Sequence, residues 1–234
     1  MRIFLAVVMA ATLAVPAQAG KLELSPVTVE VVAPTAASTV TLKNTSGEPA
    51  KLQARLFSWA QGTTGEQLQK TVDVVASPPF VELMPNQQAV IRIVRLSKRP
   101  VAGEESYRLL IDELPKKAAP QGSMIQMVMR YSLPVFFTDG QHGGAAFDMG
   151  IWQNGDTLTV SVGNHGGEHL KISGLKASDA GGHVVSFGNG LNGYVLAGAS
   201  NNFSARGALN LKGPSITVSV NSNFGHLTTT VKLR

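Results

Sequence analysis

Cysteine is absent from all 234 residues, which excludes disulfide staples, thiolate metal centres and cysteine nucleophiles together. Aromatic residues make up only 6% of the chain, with Trp59 and Trp152 as its tryptophans, and charged residues only 15%. The net charge of +5 comes from no dense basic run, since Lys98-Arg99 and Lys116-Lys117 are isolated pairs without interleaved aromatics. A nucleic-acid groove needs a basic stripe. The reading is therefore no nucleic-acid partner, with mild basicity suited to carboxylates on a protein. Helical patterning is missing as well, because no segment sustains apolar spacing at i, i+3, i+4 and i+7 through three turns.

Long hydrophobic runs are also lacking, apart from one at the start. Arg2 supplies a positive charge, Ile3 to Val15 is almost wholly apolar, and Ala17-Gln18-Ala19 fits a small-residue cleavage site. That run is shorter than the roughly 20 residues a membrane span needs. Residues 1–19 are expected to be a signal peptide, with the mature chain beginning at Gly20, exported and without a direct membrane span.

Catalytic constellations do not assemble. His142, His165, His169, His183 and His226 are scattered through the second half. His165 and His169 stand four apart, but Gly166-Gly167 between them favours a turn, and Glu168 is at the wrong offset for H-E-x-x-H. No Gly-x-Ser-x-Gly, P-loop or dinucleotide fingerprint occurs, and Gly188-Asn189-Gly190 reads as a turn. The expectation is a protein that is not an enzyme and takes no metal and no cofactor.

What the chain does contain is strands. Leu22 to Val32, Ala50 to Trp59, Ala89 to Leu96, Tyr107 to Leu114 and Met124 to Phe137 alternate or run apolar between turn signals such as Asn44-Thr45-Ser46-Gly47 and Pro85-Asn86. Strands punctuated every ten or so residues predict an all-β sandwich. Thr138 to Ala146 is polar and Gly-rich, after which short strands resume. The division expected is a first domain over 20–138, a linker over 139–146 and a smaller sandwich over 147–234. No internal repeat of fixed period is evident.

One segment stands out. Ile125, Met127, Met129, Tyr131, Leu133 and Val135 form a single apolar face at period two. Such a face ordinarily fills its own sandwich. Here unbranched methionines, adaptable enough for varied partners, lie at the end of a domain, where an edge strand facing a cleft is plausible. An apolar edge is an aggregation hazard unless it serves to complete another sheet.

Several passages resemble the PapD-like chaperones of chaperone–usher pili. They are Leu83-Met84-Pro85-Asn86-Gln87 with Val90-Ile91-Arg92-Ile93-Val94-Arg95, Leu110-Ile111-Asp112-Glu113-Leu114-Pro115, and Tyr131-Ser132-Leu133-Pro134-Val135-Phe136-Phe137. In the second half, Leu158 to Asn164, His169-Leu170 and Tyr194 to Ala199 look like the archaic branch of that family.

The resemblance implies two immunoglobulin-like domains in tandem with a cleft between them, in the periplasm. It also implies a mechanism. Ile125, Met127, Met129, Tyr131 and Leu133 would be donated into a pilus subunit that lacks its last strand, and an outer-membrane usher would then receive the complex. In the free chain, a loose self-association would cover the edge. The family's cleft Arg and Lys, said to grip the subunit's C-terminal carboxylate, are replaced by Thr28 and Pro134, which leaves Arg92, Arg95 and Arg130 as candidate anchors. Glu113 matches a family glutamate that bridges the domains, although Thr138 and Asn223 stand at its partners' places. The rival reading is a structural or adhesive subunit of a surface fibre.

Overall fold

The computed structural model describes residues 22–62, 65–115, 127–141, 143–207 and 211–233, and every regular element among them is a strand. Two β-sandwiches follow one another along the chain, each immunoglobulin-like.

In the first, β1 (Leu22–Ser25), β3 (Ala37–Asn44), β8 (Gln88–Arg95) and β6 (Val74–Ser77) form a four-stranded sheet. The facing sheet runs in the order β2 (Val29–Val32), β10 (Arg130–Thr138), β9 (Glu104–Glu113), β4 (Ala50–Gly62) and β5 (Gly65–Lys70), with β7 (Phe80–Leu83) also paired to β4. The apolar run Leu22 to Val32 is thus not one strand. Pro26 removes a ladder donor, and the chain crosses between sheets there: β1 pairs antiparallel with β3, whereas β2 pairs parallel with the end of β10.

Alternation does the packing. Along β8, Ile91 and Ile93 are fully buried while Arg92 between them is exposed. With Val40, Leu42, Leu109, Ile111, Val135 and Phe137 they make the first core. Burying each such side chain contributes roughly 1.5–3 kcal/mol relative to leaving it in water.

The second sandwich pairs β11 (Phe147–Asn154), β12 (Thr157–Asn164) and β16 (Ser200–Arg206) in one sheet. The other contains β14 (Val184–Ser186), β13 (Leu170–Ser178), β17 (Ser215–Ser222) and β18 (Gly225–Lys232), with β15 (Leu191–Val195) also paired to β13. Ile151, Leu158, Val160, Ile172, Leu175, Ile216 and Val218 lie at its centre.

The two sandwiches share a local device. Buried Asn44 donates from Nδ2 to the carbonyls of Glu48 and Leu83 and accepts from the Ser46 amide. Buried Asn164 donates to the carbonyls of Glu168 and Val195 and accepts from the Gly166 amide. The segments are Asn44-Thr45-Ser46-Gly47-Glu48 and Asn164-His165-Gly166-Gly167-Glu168, each closing the turn after a core strand. They are a two-copy correspondence between domains, too short and too widely separated to register as a periodic repeat.

Candidate functional site: an open strand edge and the inter-domain cleft

The site begins with β10 and what fails to accompany it. β9 pairs with β10 from Thr138 back to Arg130, and the Glu113 amide still donates to the Met129 carbonyl at 2.9 Å. On the other side β2 is short, and its first rung is Val29 against Val135. No described strand pairs on that side with the stretch from Met127 to Pro134, so its edge is open.

The side chains change environment along the same length. Leu133, Val135 and Phe137 are buried in the first core, Tyr131 is half-buried against it, Met129 is 45% exposed and Met127 is 74% exposed. A single period-two face therefore fills its own sandwich at one end and stands in solvent at the other. This corrects part of the sequence reading: Leu133 lies within the chain's own core and is not available to a partner, because the opposing sheet already covers it. Met127 and Met129 are free. Ile125 lies outside the described residues.

The even-numbered face explains why the buried end of β10 is buried twice. Phe136 points away from the first core into a small cluster with Trp59, Tyr194 and Leu196, which joins the two domains. The His169 ring stacks on Phe136 at 3.6 Å, nearly parallel. Glu104, at the start of β9, accepts from the His169 amide at 3.1 Å and pairs with its Nδ1 at 2.7 Å, both side chains almost fully buried. Thr138 donates to Glu168. Gln61 donates to the Tyr194 carbonyl and accepts from the Leu196 amide, both at 2.9 Å. The Thr28 and Tyr194 hydroxyls lie 3.3 Å apart across the cleft.

Glu113 is not part of this joint, contrary to the sequence reading. The antiparallel register sets Thr138 beside Glu104 and places Glu113 at the other end of β9, next to Met129. The two glutamates stand at opposite ends of the 10-residue β9, about 30 Å apart at the usual rise. On β9, the carboxylate that reaches the second domain is Glu104, through His169.

Neither do Arg92, Arg95 and Arg130 converge. Arg92 lies exposed on the outer face of the other sheet, between Thr39 and Ser77. Arg95 is buried in a bidentate pair with Glu105 and also donates to the Ser97 carbonyl. Its hydrogen bond holds the Glu105 carboxyl below the usual range against the opposing effect of burial. Arg130 sits at the open edge, where it shares Asp112 with Arg55. Burial acts to raise the Asp112 pKa, but the two guanidinium hydrogen bonds outweigh it and the net shift is downward.

The cation nearest the cleft was missed. Arg108 is the rung partner of Pro134, and Phe57 flanks it on β4. Its guanidinium lies 3.6 Å over the Trp59 ring and 5.8 Å from that of Tyr194, with its side chain 11% exposed. Its Nη2 donates to Glu66 at 2.8 Å, while Arg108 Nε and Trp59 Nε1 are buried without a hydrogen-bond partner. In the sequence Arg108 is one polar residue within Tyr107 to Leu114, and only the cross-strand register reveals its position.

Residues 21–138 match the pili and flagellar-assembly chaperone family through its PapD N-terminal domain, and the chain belongs to that family. No curated protein sequence matches the chain. Among solved structures, it is similar to a chain of the CsuC–CsuE chaperone–tip adhesion subunit pre-assembly complex, from the archaic chaperone-usher Csu pili of Acinetobacter baumannii. Identity there is 21% and the TM-score 0.66, covering 92% of this chain and 100% of that one. The YadV chaperone aligns at 17% identity and TM-score 0.63 over 92% and 100% of the respective chains. The complex of the Salmonella enterica SafA pilin with the SafB chaperone gives 18%, 0.61, 89% and 95%.

Proposed function

We propose that this protein is a periplasmic chaperone that holds pilus subunits by lending them the open part of β10 and passes them to an outer-membrane usher. The observation that carries the reading is the apolar face that runs from β10 back into the preceding residues, past the end of β2. Met127 and Met129 stand in solvent in register with Leu133 and Val135 of the first core. Full burial of each methionine would contribute roughly 1.5–3 kcal/mol, and an open edge can add ladder hydrogen bonds to an incomplete sheet.

Arg108 completes the reading as the cation that receives the subunit's terminal carboxylate. It takes the place of the three arginines that the structure disperses. A guanidinium held against an indole is pre-aimed, and charge-assisted hydrogen bonds are about twice as strong as neutral ones. The neighbouring Thr28 and Tyr194 hydroxyls offer two further donors.

The test is subunit capture. Met127→Ser with Met129→Ser should weaken recovery of periplasmic subunits in one-to-one complexes by one to two orders of magnitude, with the melting temperature unchanged. A large fall in melting temperature, with capture lost only as its consequence, would make the segment an ordinary core strand. Recovery of polymers instead of one-to-one complexes would make the protein a fibre subunit.

A further inference from the structure

We infer that Glu66 is an internal carboxylate that occupies Arg108 until a subunit terminus displaces it, so that the β4–β5 hairpin sets a threshold for binding in the cleft. The inference rests on reading Arg108 as the carboxylate anchor.

Arg108 is almost wholly buried beneath the hairpin, whereas its partner Glu66 is half exposed. A buried guanidinium without any partner would be costly, because water cannot reach it to compensate. Glu66 meets that need from a position that does not commit it. It is on β5, the outermost strand of the five-strand path, rung to rung with Gln61. Gln61 is the residue that clasps the Tyr194 carbonyl and the Leu196 amide of the second domain. The hairpin is therefore fastened across the cleft at Gln61 and presents a carboxylate one rung partner away. Any incoming carboxylate must compete with it, and must gain the remainder of its affinity from the open edge of β10. The arrangement favours ligands carrying both an alternating strand and a free terminus over isolated anions.

The probe is a pair of acetylated Val-Thr-Val-Thr-Val-Phe peptides, one ending in a free carboxylate and the other in an amide. They are titrated into the full mature chain carrying Trp152→Phe, so that Trp59 beneath Arg108 reports by fluorescence. The parent should prefer the acid over the amide. Glu66→Gln should tighten the acid roughly two- to fivefold, the factor a partly exposed ion pair is worth, and leave the amide unchanged. Arg108→Gln should abolish the preference for the acid. If Glu66→Gln leaves the acid-to-amide ratio unchanged or lowers it while Arg108→Gln abolishes it, the stand-in role is overturned and the anchor stands. If the ratio survives Arg108→Gln, the anchor itself is wrong, and the inference falls with it. Melting curves of both variants confirm that folded protein is being compared.

Discussion

Two carboxylates, Glu105 and Asp179, show how much of this structure is decided by single hydrogen-bonded side chains. Glu105 neutralises an Arg95 side chain that is only 7% exposed. Glu105→Ala would leave that guanidinium buried and unpaired, and should cost about 3–5 kcal/mol, read as a lower urea midpoint at unchanged m-value. Asp179 ties two loops of the second sandwich. Its pKa is lowered to about 2, first by the hydrogen bond from the Lys212 amide and further by His183, with burial opposing. The folded pKa lies below the unfolded one, so the contribution is fully present above the ordinary carboxylate range and is lost as pH falls through about 2. In Asp179→Asn, the fall in melting temperature between about pH 5 and pH 2 should be smaller than in the parent. An identical fall in both would contradict this account.

At the scale of elements, the turn asparagines and the strand ladder carry the fold. Asn44→Ala and Asn164→Ala each strand one buried carbonyl, of Leu83 or Val195, with a part-buried one and a turn amide, at a cost of about 1–3 kcal/mol apiece, measurable by chemical denaturation of each variant. Losses far below that range would show that water replaces the side chain. Much of this level was legible in the sequence, because inward alternation such as Val40 and Leu42, or Ile91 and Ile93, is a direct consequence of the pleat. Three things were not legible. The break at Pro26 separates β1 from β2, and periodicity cannot show that two halves of one run join different sheets. Glu104, rather than Glu113, joins the domains, and the choice depends on the register of β9 against β10. Leu133 is buried and Met129 is not, although both belong to one apolar face, because burial there is set by how far the opposing sheet reaches along it.

The whole molecule is two sandwiches held at a polar-aromatic joint. Glu104 satisfies both the amide and the ring of His169, whose ring is stacked on Phe136 of β10. Glu104→Ala should therefore uncouple the domains before it unfolds either. Calorimetry should give one transition for the parent and two for the variant, and subunit capture should weaken. A single transition merely shifted to lower temperature would instead make the pair a local stabiliser of the first domain.

The same geometry leaves the segment leading into β10 open at the end away from the domain joint, with Met127 and Met129 uncovered, and puts Arg108 nearer the joint. The most direct measurement of this central claim uses the natural absence of cysteine. Met127→Cys, Met129→Cys and Val135→Cys, made singly, place one thiol each along the period-two face of β10 and the segment leading into it, and alkylation rates are compared between the free protein and its complex with a co-expressed pilus subunit. The account predicts fast labelling at positions 127 and 129 in the free protein and strong protection in the complex, with position 135 protected in both. Equal labelling of positions 127 and 129 in the free and subunit-bound protein would contradict it.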